Sequence, residues 1–231
     1  MPQKESVKTM FNEIAGSYDF LNHFLSFGID HLWRKRLVTE ILKSKPSHVL
    51  DLATGTADLA IALHRRGRVR ITGADISEKM MEVGRNKIAK EGMSGAIELV
   101  YGDAENLKFA DHSFDAAMIA FGVRNFEDLE KGISEMKRVL KKGGSVMILE
   151  FSHPESFPIK QFYRFYSRYI IPMMGKIISS HPTAYRYLPE TVAKFPSGKT
   201  FLNVMMKNGF ENCSQISLSG GIASIYTGKR P

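Results

Sequence analysis

The most constraining feature of this sequence is a regular alternation of short apolar runs with helix-like segments between residues 46 and 152. The apolar runs have the length of strands, whereas the segments between them repeat their apolar residues with the period of a helix. This alternation, with short connections, predicts an α/β fold built on a doubly wound parallel sheet. The predicted strands are His48–Leu52, Val69–Ala74, Ile97–Tyr101, Phe114–Ala120 and Ser145–Phe151, and the predicted helices are Leu59–Arg66, Glu78–Lys90 (with Ser77 as N-cap) and Asp128–Leu140.

The remaining segments extend this core into a single domain that spans residues 1–231. Residues 1–45 are expected to form a helical cap of two helices, with a break near Phe27-Gly28. Residues 153–198 are rich in aromatic, proline and basic residues, so we expect them to be a helical insertion or lid. Residues 46–152 form the core itself, with a turn expected at Lys141–Gly144.

The last segment, residues 199–231, distinguishes between variants of this fold. It predicts one helix and then two strands joined by a tight hairpin. The helix is Lys199–Lys207, the strands are Asn212–Leu218 and Ile222–Gly228, and the hairpin is Ser219-Gly220-Gly221. A Rossmann-like, mostly parallel sheet that ends in an antiparallel hairpin favours the arrangement of class I methyltransferases over that of a dehydrogenase.

Three acidic residues stand at the carboxyl ends of three successive predicted strands. They are Asp51, Asp75 and Asp103. Sheets of this kind bind ligands beyond the carboxyl ends of their strands. A carboxylate at Asp75 can accept both hydroxyls of a ribose, while Asp103 can accept the amine of an adenine, with Ala104 supplying a backbone N–H. Any one of the acids could instead be a helix cap, but that alternative explains three at ordered spacing poorly.

The loop after Asp51 favours S-adenosylmethionine over a dinucleotide. Its small residues Ala53, Gly55 and Ala57 allow the backbone to approach a ligand closely. It has neither GxGxxG nor GxxxxGK[ST], so a phosphate cradle is poorly supported. S-adenosylmethionine carries no phosphate and needs ribose acceptors and a negative environment for its amino group and sulfonium.

Further motifs resemble one family of class I methyltransferases. They resemble the signatures of the quinone C-methyltransferases, the family of demethylmenaquinone and 2-polyprenyl-benzoquinol methyltransferases. The likeness covers nearly the whole chain. The matching stretches are Tyr18–Ser26 with His31-Leu32-Trp33, Phe121-Gly122-Val123-Arg124-Asn125, Arg138–Gly144 running into Leu149–Ser152, and Tyr185–Leu188.

The resemblance implies a cofactor site and also two departures from the family pattern. Lys142 stands where the family usually has proline, on a predicted turn where the change is harmless. Ala120 stands where many members have serine, so it is expected to line the site without a hydroxyl contact. By resemblance, the contacts carry over to Thr56, Asp75, Asp103 and Ala104. The complete set of predicted cofactor-binding residues is Asp51, Ala53, Gly55, Thr56, Asp75, Ile76, Asp103, Ala104 and Ala120.

The same resemblance implies C-methylation of a reduced polyprenyl quinone, with demethylmenaquinol favoured and a benzoquinol as the alternative. A ring carbon is a weak nucleophile until a neighbouring hydroxyl loses its proton, so the site must stabilise a phenolate. Arg124 is the predicted oxyanion stabiliser, because a guanidinium stays protonated and is no simple base. Asn125 is expected to orient the ring. The alternative for Arg124 is a salt bridge to Glu127 or Asp128. Predicted substrate-binding residues are Tyr18, Asn22, Phe121 and Tyr185.

The net charge of +8 is concentrated in the last third of the chain, where residues 152–231 carry ten basic and three acidic side chains. This asymmetry suggests an anionic partner surface. The basic aromatic segment Lys160–Ile171 is expected to cover an isoprenoid tail and to touch the anionic inner face of the cell membrane. The alternatives are a solvated basic face and a lid whose aromatic side chains pack on the core. Nucleic acid is not expected, because no RNA-binding motif accompanies the charge.

Several function classes stay open or are excluded by simple counts. The single cysteine, Cys213, excludes an internal disulfide and a thiolate cluster. The histidines His23, His31, His153 and His181 lack ligand spacing, so no metal site is predicted. No signal peptide or membrane-spanning run is found, so we expect a cytoplasmic location. The remaining alternatives are another small-molecule or RNA methyltransferase and a non-catalytic subunit of a quinone-biosynthesis complex, and a homo-oligomer is possible.

Overall fold

A seven-stranded sheet forms the centre of the molecule. The computed structural model describes residues 3–170, 173 and 182–231, with side chains of the last range described from Tyr187 onward. The strands are His48–Leu52 (β1), Arg70–Asp75 (β2), Ile97–Tyr101 (β3), Phe114–Ala120 (β4), Leu140–Phe151 (β5), Glu211–Leu218 (β6) and Ala223–Lys229 (β7). Their order across the sheet is β3-β2-β1-β4-β5-β7-β6.

The pairing of the strands confirms the predicted fold class. Strands β1 to β5 are parallel, whereas β7 runs antiparallel to both β5 and β6. The order reverses between β1 and β4, so the ends of these two strands diverge into a crevice where ligands bind in such sheets. Strand β1 is buried apart from its first residue. Burial on both faces explains why parallel strands appear in sequence as unbroken apolar runs.

Helices cover both faces of the sheet. They are Lys4–Ile14 (α1), Tyr18–Leu25 (α2), Ile29–Leu42 (α3), Asp58–Gly67 (α4), Glu78–Lys90 (α5), Leu129–Val139 (α6), Ile159–Phe165 (α7), Pro182–Lys194 (α8) and Lys199–Lys207 (α9). Helices α3, α4 and α5 enclose one apolar core, and α6 and α9 enclose the other. In the described ranges, no helix is long and apolar enough to cross a membrane.

The N-terminal cap differs from its prediction in one respect. The expected break at Phe27-Gly28 is present, and both residues have the left-handed backbone that ends a helix. A second break at residues 15–17 divides the first predicted helix in two. There the N–H of Ser17 donates to the carbonyl oxygen of Ile14, which closes a turn around Gly16. The cap therefore consists of three helices rather than two.

The predicted turn at Lys141–Gly144 was wrong, because this segment belongs to β5. It forms a bulge, seen as a register shift against β4, with Gly143 in the left-handed region at φ +76°. The N–H of Gly143 and the carbonyl oxygen of Gly144 both bond to Arg230, beyond the end of β7. The turn-like sequence fits into a strand because the backbone of Arg230 forms hydrogen bonds with Gly143 and Gly144.

Asp115 ties the first residues of three strands together. Its carboxylate accepts the backbone N–H groups of Ser47 (3.0 Å) and His48 (2.9 Å) and forms an ion pair with Lys141 (2.7 Å). Partial burial opposes ionisation, but these donors outweigh it and hold the pKa of Asp115 well below its usual range. A carboxylate with a depressed pKa stabilises the fold above its ordinary pKa and loses that contribution as the pH falls.

We expect Asp115→Asn to lower the free energy of unfolding by about 1–3 kcal/mol at pH 7, since it removes the ion pair with Lys141 and leaves only a neutral acceptor for the N–H groups of Ser47 and His48. The difference from wild type should shrink as the pH falls below about 4, where the carboxylate of the unfolded chain becomes protonated. Urea unfolding at pH 7 and pH 3 measures both effects. Asp111→Asn, at an exposed carboxylate paired with Arg138, should change little. A difference that does not depend on pH would contradict this account.

Candidate active site

The carboxyl ends of β1, β2 and β3 bring the predicted acidic residues to one edge of the sheet. A cavity opens at this edge, with α1 and α2 on its outer side. Its lining contains these predicted cofactor-binding residues: Ala53, Gly55, Asp75, Ile76, Asp103, Ala104 and Ala120. The predicted substrate-binding residues Tyr18 and Phe121 also line it, as does Asn125. We call this space the cofactor cavity.

Asp75 is held rigidly on the wall of this cavity. One carboxylate oxygen accepts the backbone N–H of Gly55 (2.8 Å) and the other accepts that of Ser77 (2.8 Å). Burial raises the pKa of Asp75, although these two donors oppose the shift. Each carboxylate oxygen has a second lone pair, so the residue can still accept hydrogen bonds from a ligand.

The loop after β1 approaches its neighbours closely. Gly55 has φ +56°, and a Cβ there would lie 3.3 Å from the Cε atom of Met80. Gly122, in the motif after β4, is under a tighter restriction, because its Cβ would lie 2.7 Å from the Cβ of Ala53. The two loops that border the cofactor cavity therefore pack against each other through glycine.

Two predicted cofactor residues, Asp51 and Thr56, do not reach the cavity lining. Asp51 is buried behind the loop, where its carboxylate accepts the hydroxyl of Thr54 at 2.7 Å. Thr56 donates its hydroxyl to Asp19 of α2 at 2.5 Å. Asp51 thus supports the loop from inside, and Thr56 fastens the helical cap to it. Direct contact of these two with a cofactor stays a prediction.

A second cavity, the reaction chamber, adjoins the first through Phe11, Tyr18 and Phe121, which line both. Arg124 lies on its wall, on the 3₁₀ turn Val123–Asn125 that follows β4. Nη1 of Arg124 donates to the carbonyl oxygen of Phe121 and forms an ion pair with Glu150 at 2.9 Å. Its Nε is buried and has no hydrogen-bond partner among the residues that the structure describes. The alternative prediction, a salt bridge from Arg124 to Glu127 or Asp128, was wrong about the partner, which is Glu150.

Glu150 is the ion-pair partner of Arg124, and sequence reasoning did not single it out. Its side chain is 0% exposed, and it also accepts the backbone N–H groups of Arg124 (3.3 Å) and Phe151 (2.8 Å). Burial raises the pKa of Glu150, and the guanidinium of Arg124 opposes that shift. The signal was present in the sequence, because a carboxylate inside a buried apolar strand requires a partner of opposite charge.

Asn125 is bonded to a tyrosine of α8. The hydroxyl of Tyr187 donates to Oδ1 of Asn125 at 2.9 Å, and Tyr187 itself lines the reaction chamber. The predicted residue of this motif, Tyr185, has a side chain that lies outside the described residues. The segment Tyr185–Leu188, which the resemblance singled out, thus contains a tyrosine that bonds to Asn125, and the predicted role of Tyr185 stays a prediction.

Three tyrosines interact electrostatically with Arg124, and their pKa shifts indicate how a phenol would ionise in this environment. Burial raises the pKa of Tyr18, and it raises the pKa of Tyr163 and of Tyr187 to about 12, although Arg124 opposes the shift in each case. Burial would also raise the pKa of a phenolic ligand placed here, and Arg124 would oppose that shift. Only a donor in direct contact would strongly favour its phenolate.

A third, apolar space continues from the chamber; we call it the apolar groove. The two share Asn22, Leu25, Ser26, Phe151 and Leu188. The remaining walls of the groove are mostly aromatic and aliphatic: Phe27, Ile29, Trp33, Phe162, Tyr163, Tyr166, Ser167, Pro189, Val192 and Ile222. Cofactor cavity, reaction chamber and apolar groove thus adjoin one another in that order.

Ion pairs hold the helical cap over these spaces. Lys4 of α1 reaches the carboxylates of Asp103 (2.8 Å) and Glu105 (3.1 Å). Lys87 of α5 pairs with Asp19 of α2 at 2.8 Å. These partners are far apart in sequence, so no local pattern could have indicated them.

A cluster of His23, Asp30 and His31 in the cap brings possible metal ligands within 4.8 Å of one another. The carboxylate of Asp30 already accepts the hydroxyl of Ser26 (2.6 Å) and pairs with Arg34. A guanidinium beside the carboxylate disfavours a cation at the same place. His181 lies outside the described residues, and the absence of a resident metal stays a prediction.

Comparison with known proteins places these observations in a family. The model of the ubiE/COQ5 methyltransferase family matches residues 1–230. A demethylmenaquinone methyltransferase of Bacteroides fragilis is 47% identical over 226 residues, which cover 97% of this chain and 92% of the relative. The ubiquinone/menaquinone biosynthesis C-methyltransferase UbiE of Geotalea daltonii is 44% identical over 228 residues, covering 98% and 97%.

Solved structures support the fold. A SAM-dependent methyltransferase of Thermotoga maritima, described as a possible histamine N-methyltransferase, superposes with a TM-score of 0.68 at 20% identity. The superposition covers 97% of this chain and 99% of that one. At this level of identity the similarity shows a shared fold and says nothing about the acceptor.

Asp51 provides a test of how the loop is supported. Burial raises its pKa to about 7, although the Thr54 hydroxyl opposes the shift. Between about pH 4 and pH 7 the folded protein therefore keeps a proton that the unfolded chain loses, so this group lowers stability as the pH rises. Without ligand, Asp51→Asn should gain stability relative to wild type across this window, by a few kcal/mol at the upper end. Urea unfolding at pH 4.5 and pH 7.5 measures it, and parallel profiles for the two proteins would contradict it.

Proposed function

Because this chain belongs to the ubiE/COQ5 methyltransferase family, we propose that it methylates a ring carbon of demethylmenaquinol. It is a methyltransferase of quinone biosynthesis, and its methyl donor is S-adenosylmethionine. One observation gives the main support for the proposed acceptor. A buried guanidinium lies between the cofactor cavity and an apolar groove, which suits a polar ring with a long apolar tail.

The residues of the cofactor cavity suit the methyl donor. Asp75 offers two fixed carboxylate oxygens for the ribose hydroxyls, as in related nucleotide-binding folds. Asp103 and Ala104 would bind the adenine, and the backbone at Ala53 and Gly55 would contact the amino-acid end. Lys4 pairs with one carboxylate oxygen of Asp103, which keeps a second lone pair for the amine of the adenine.

The reaction chamber suits the activation of a phenol. Loss of a hydroxyl proton to solvent makes the neighbouring ring carbon nucleophilic. That carbon would then form a bond to the methyl group as the methyl–sulfur bond breaks, which leaves its electron pair on sulfur as a neutral thioether. The carbon would then give up its own proton to solvent, which restores the aromatic ring. A guanidinium is no simple base, so the proposed role of Arg124 is to stabilise the phenolate from the wall of the chamber. Positioning and charge stabilisation supply the catalysis.

The apolar groove supports a polyprenyl acceptor. Its walls contain aromatic and aliphatic side chains from α2, α3 and α7, and it joins the chamber beside Arg124. The relatives named for demethylmenaquinone favour the naphthoquinol, and a benzoquinol is the second candidate, since other relatives are named for both pathways. Transfer of a labelled methyl group to short-tail forms of each reduced quinone decides between them. Methylation of neither would refute the proposal.

We expect Arg124→Lys to lower kcat about 100-fold, because a compact ammonium lacks the spread, planar donors with which a guanidinium can pair with Glu150 and also reach the acceptor. The Kd for S-adenosylmethionine should stay within about threefold, since Asp75 and Asp103 are untouched. Lysine keeps the charge, so Glu150 is not left uncompensated. Labelled-methyl transfer and calorimetry measure the two quantities. Arg85→Lys, at a surface pair with Glu78, serves as the matched control, and normal turnover by Arg124→Lys would refute its role.

We also propose that the protein docks peripherally on an anionic membrane surface. Large apolar side chains are exposed on two adjacent elements: Phe20, Phe24, Phe27 and Leu32 near the junction of α2 and α3, and Phe162, Phe165 and Tyr169 on and after α7. The two elements touch, since the Tyr166 hydroxyl donates to the carbonyl oxygen of Leu25 at 2.6 Å. The side chains of Lys160, Arg164 and Arg168 lie exposed beside them. Aromatic anchors with flanking bases are typical of interfacial binding.

The alternative of a lid packed on the core is supported in part by α7: Tyr163 is half-buried against the apolar groove, whereas Phe162 and Phe165 of the same helix are exposed. Phe27 and Phe162 line the apolar groove and are also 77% and 73% exposed. They therefore mark its mouth, so a tail leaving the groove would enter the lipid phase. Ile171, the last residue of the predicted basic aromatic segment, lies outside the described residues.

Flotation with vesicles tests this docking. Wild type should float with vesicles that contain anionic lipid, and less at high salt. Replacing both Phe24 and Phe165 by serine should reduce the floated fraction several-fold, because two large apolar side chains are lost from the contact. Met206→Ser removes an exposed apolar side chain of α9 and should change nothing. Absence of wild-type binding at any salt concentration would refute the membrane proposal while leaving the methylation proposal intact.

A further inference from the structure

Asn125 lies where the cofactor cavity and the reaction chamber meet. Asn125 lines the cofactor cavity, whereas Tyr187, which bonds to its side chain, lines the chamber. Methyl transfer joins a ligand in one space to a ligand in the other. The Tyr187–Asn125 hydrogen bond therefore spans the boundary across which the methyl group would move.

We propose that Tyr187 is a positioning residue that fixes the orientation of the Asn125 carboxamide and, through it, the alignment of the acceptor ring. The inference rests on the proposed function, since it assumes a phenolic acceptor in the chamber. It concerns a residue of α8 that has no contact with the cofactor cavity. Tyr187 is assigned no direct contact with the reacting atoms.

The chemistry of a carboxamide explains why its orientation matters. Asparagine has an oxygen that only accepts hydrogen bonds and an NH₂ group that only donates them. The Tyr187 hydroxyl occupies the oxygen at 2.9 Å, and in the part of the chain that the structure describes the NH₂ group donates to nothing. The NH₂ group is thus left for a ligand oxygen. A carboxamide turned by 180° would present its own oxygen to a phenolate, which is repulsive.

The tyrosine is suited to be a permanent donor. Burial raises the pKa of Tyr187 to about 12, although Arg124 opposes the shift. Its hydroxyl therefore keeps its proton at every pH at which a quinol would be methylated. A proton that stays on Tyr187 keeps the carboxamide in one orientation, whatever the ionisation state of the acceptor.

The helix that carries Tyr187 is anchored well enough to serve this purpose. One turn further on, the Thr191 hydroxyl donates to the carbonyl oxygen of Tyr187 at 3.0 Å. Val192 and Phe195, at the end of α8, are buried in the protein. Helix α8 also packs directly on the 3₁₀ turn that contains Arg124 and Asn125. The hydroxyl is thus positioned by packing and not only by its bond to Asn125.

The first test compares two variants, each of which replaces one tyrosine by phenylalanine. Tyr187→Phe removes one hydroxyl and keeps the ring, so the fold should persist. We expect kcat to fall about tenfold, because a misaligned acceptor reacts slowly, while the Kd for S-adenosylmethionine stays within about twofold. Tyr226→Phe is the control. It removes a hydroxyl that accepts the N–H of Gly198 at 2.8 Å in the core, so it should lower the melting temperature but not kcat.

A double-mutant cycle with Asn125→Ala separates positioning from direct contact. If Tyr187 acts through Asn125, Tyr187→Phe lowers kcat no further once the carboxamide is gone. If kcat of the double variant falls by the product of the two single reductions, the inference is overturned. Unchanged turnover in Tyr187→Phe would also overturn it. The proposed function fails differently, since wild type would then methylate neither reduced quinone. Wild-type turnover with an unaffected Tyr187→Phe variant would refute only the role of Tyr187.

Discussion

The ion pair between Arg124 and Glu150 is the interaction on which the central part of this protein depends. Both side chains are removed from water, which is costly unless each charge is matched by its partner and by further hydrogen bonds. Glu150 meets that condition by bonding the backbone as well as the side chain of Arg124. The pair fastens the turn after β4 to the end of β5, and this turn forms the boundary between the cofactor cavity and the reaction chamber.

The sequence predicted those features that depend on neighbouring residues. Strand and helix positions in the core follow from local periodicity, and Asp75 and Asp103 follow from their places at strand ends. What local reasoning could not supply was the partner of each charge. Glu150 lies 26 residues from Arg124 and Lys4 lies 99 residues from Asp103, so only the folded chain brings them together. Similarly, Thr56 was expected to face the ligand, but an aspartate of the cap takes its hydroxyl.

The helical cap determines how enclosed the site is. Strand ends alone would leave the acids of β2 and β3 open to water, where a carboxylate attracts a ligand cation only weakly. Helices α1 and α2 cover this edge and contribute Phe11 and Tyr18 to its walls. The cap is held by the ion pairs of Lys4 and Lys87 together with buried apolar side chains such as Val7, Ile14 and Leu21. The ion-paired part of this contact is weaker in salt.

The three adjoining spaces have two ends of opposite character. The end beside Asp103 is bordered by charged side chains, and the end beside Phe27 and Phe162 is apolar and exposed. A water-soluble reactant and a lipid-soluble one therefore need not pass through the same doorway. Under the proposed reaction and the proposed docking, spent methyl donor would be exchanged from the aqueous side while the next quinol arrives from the lipid side. A protein docked in this way would have no need to leave the membrane surface between successive rounds.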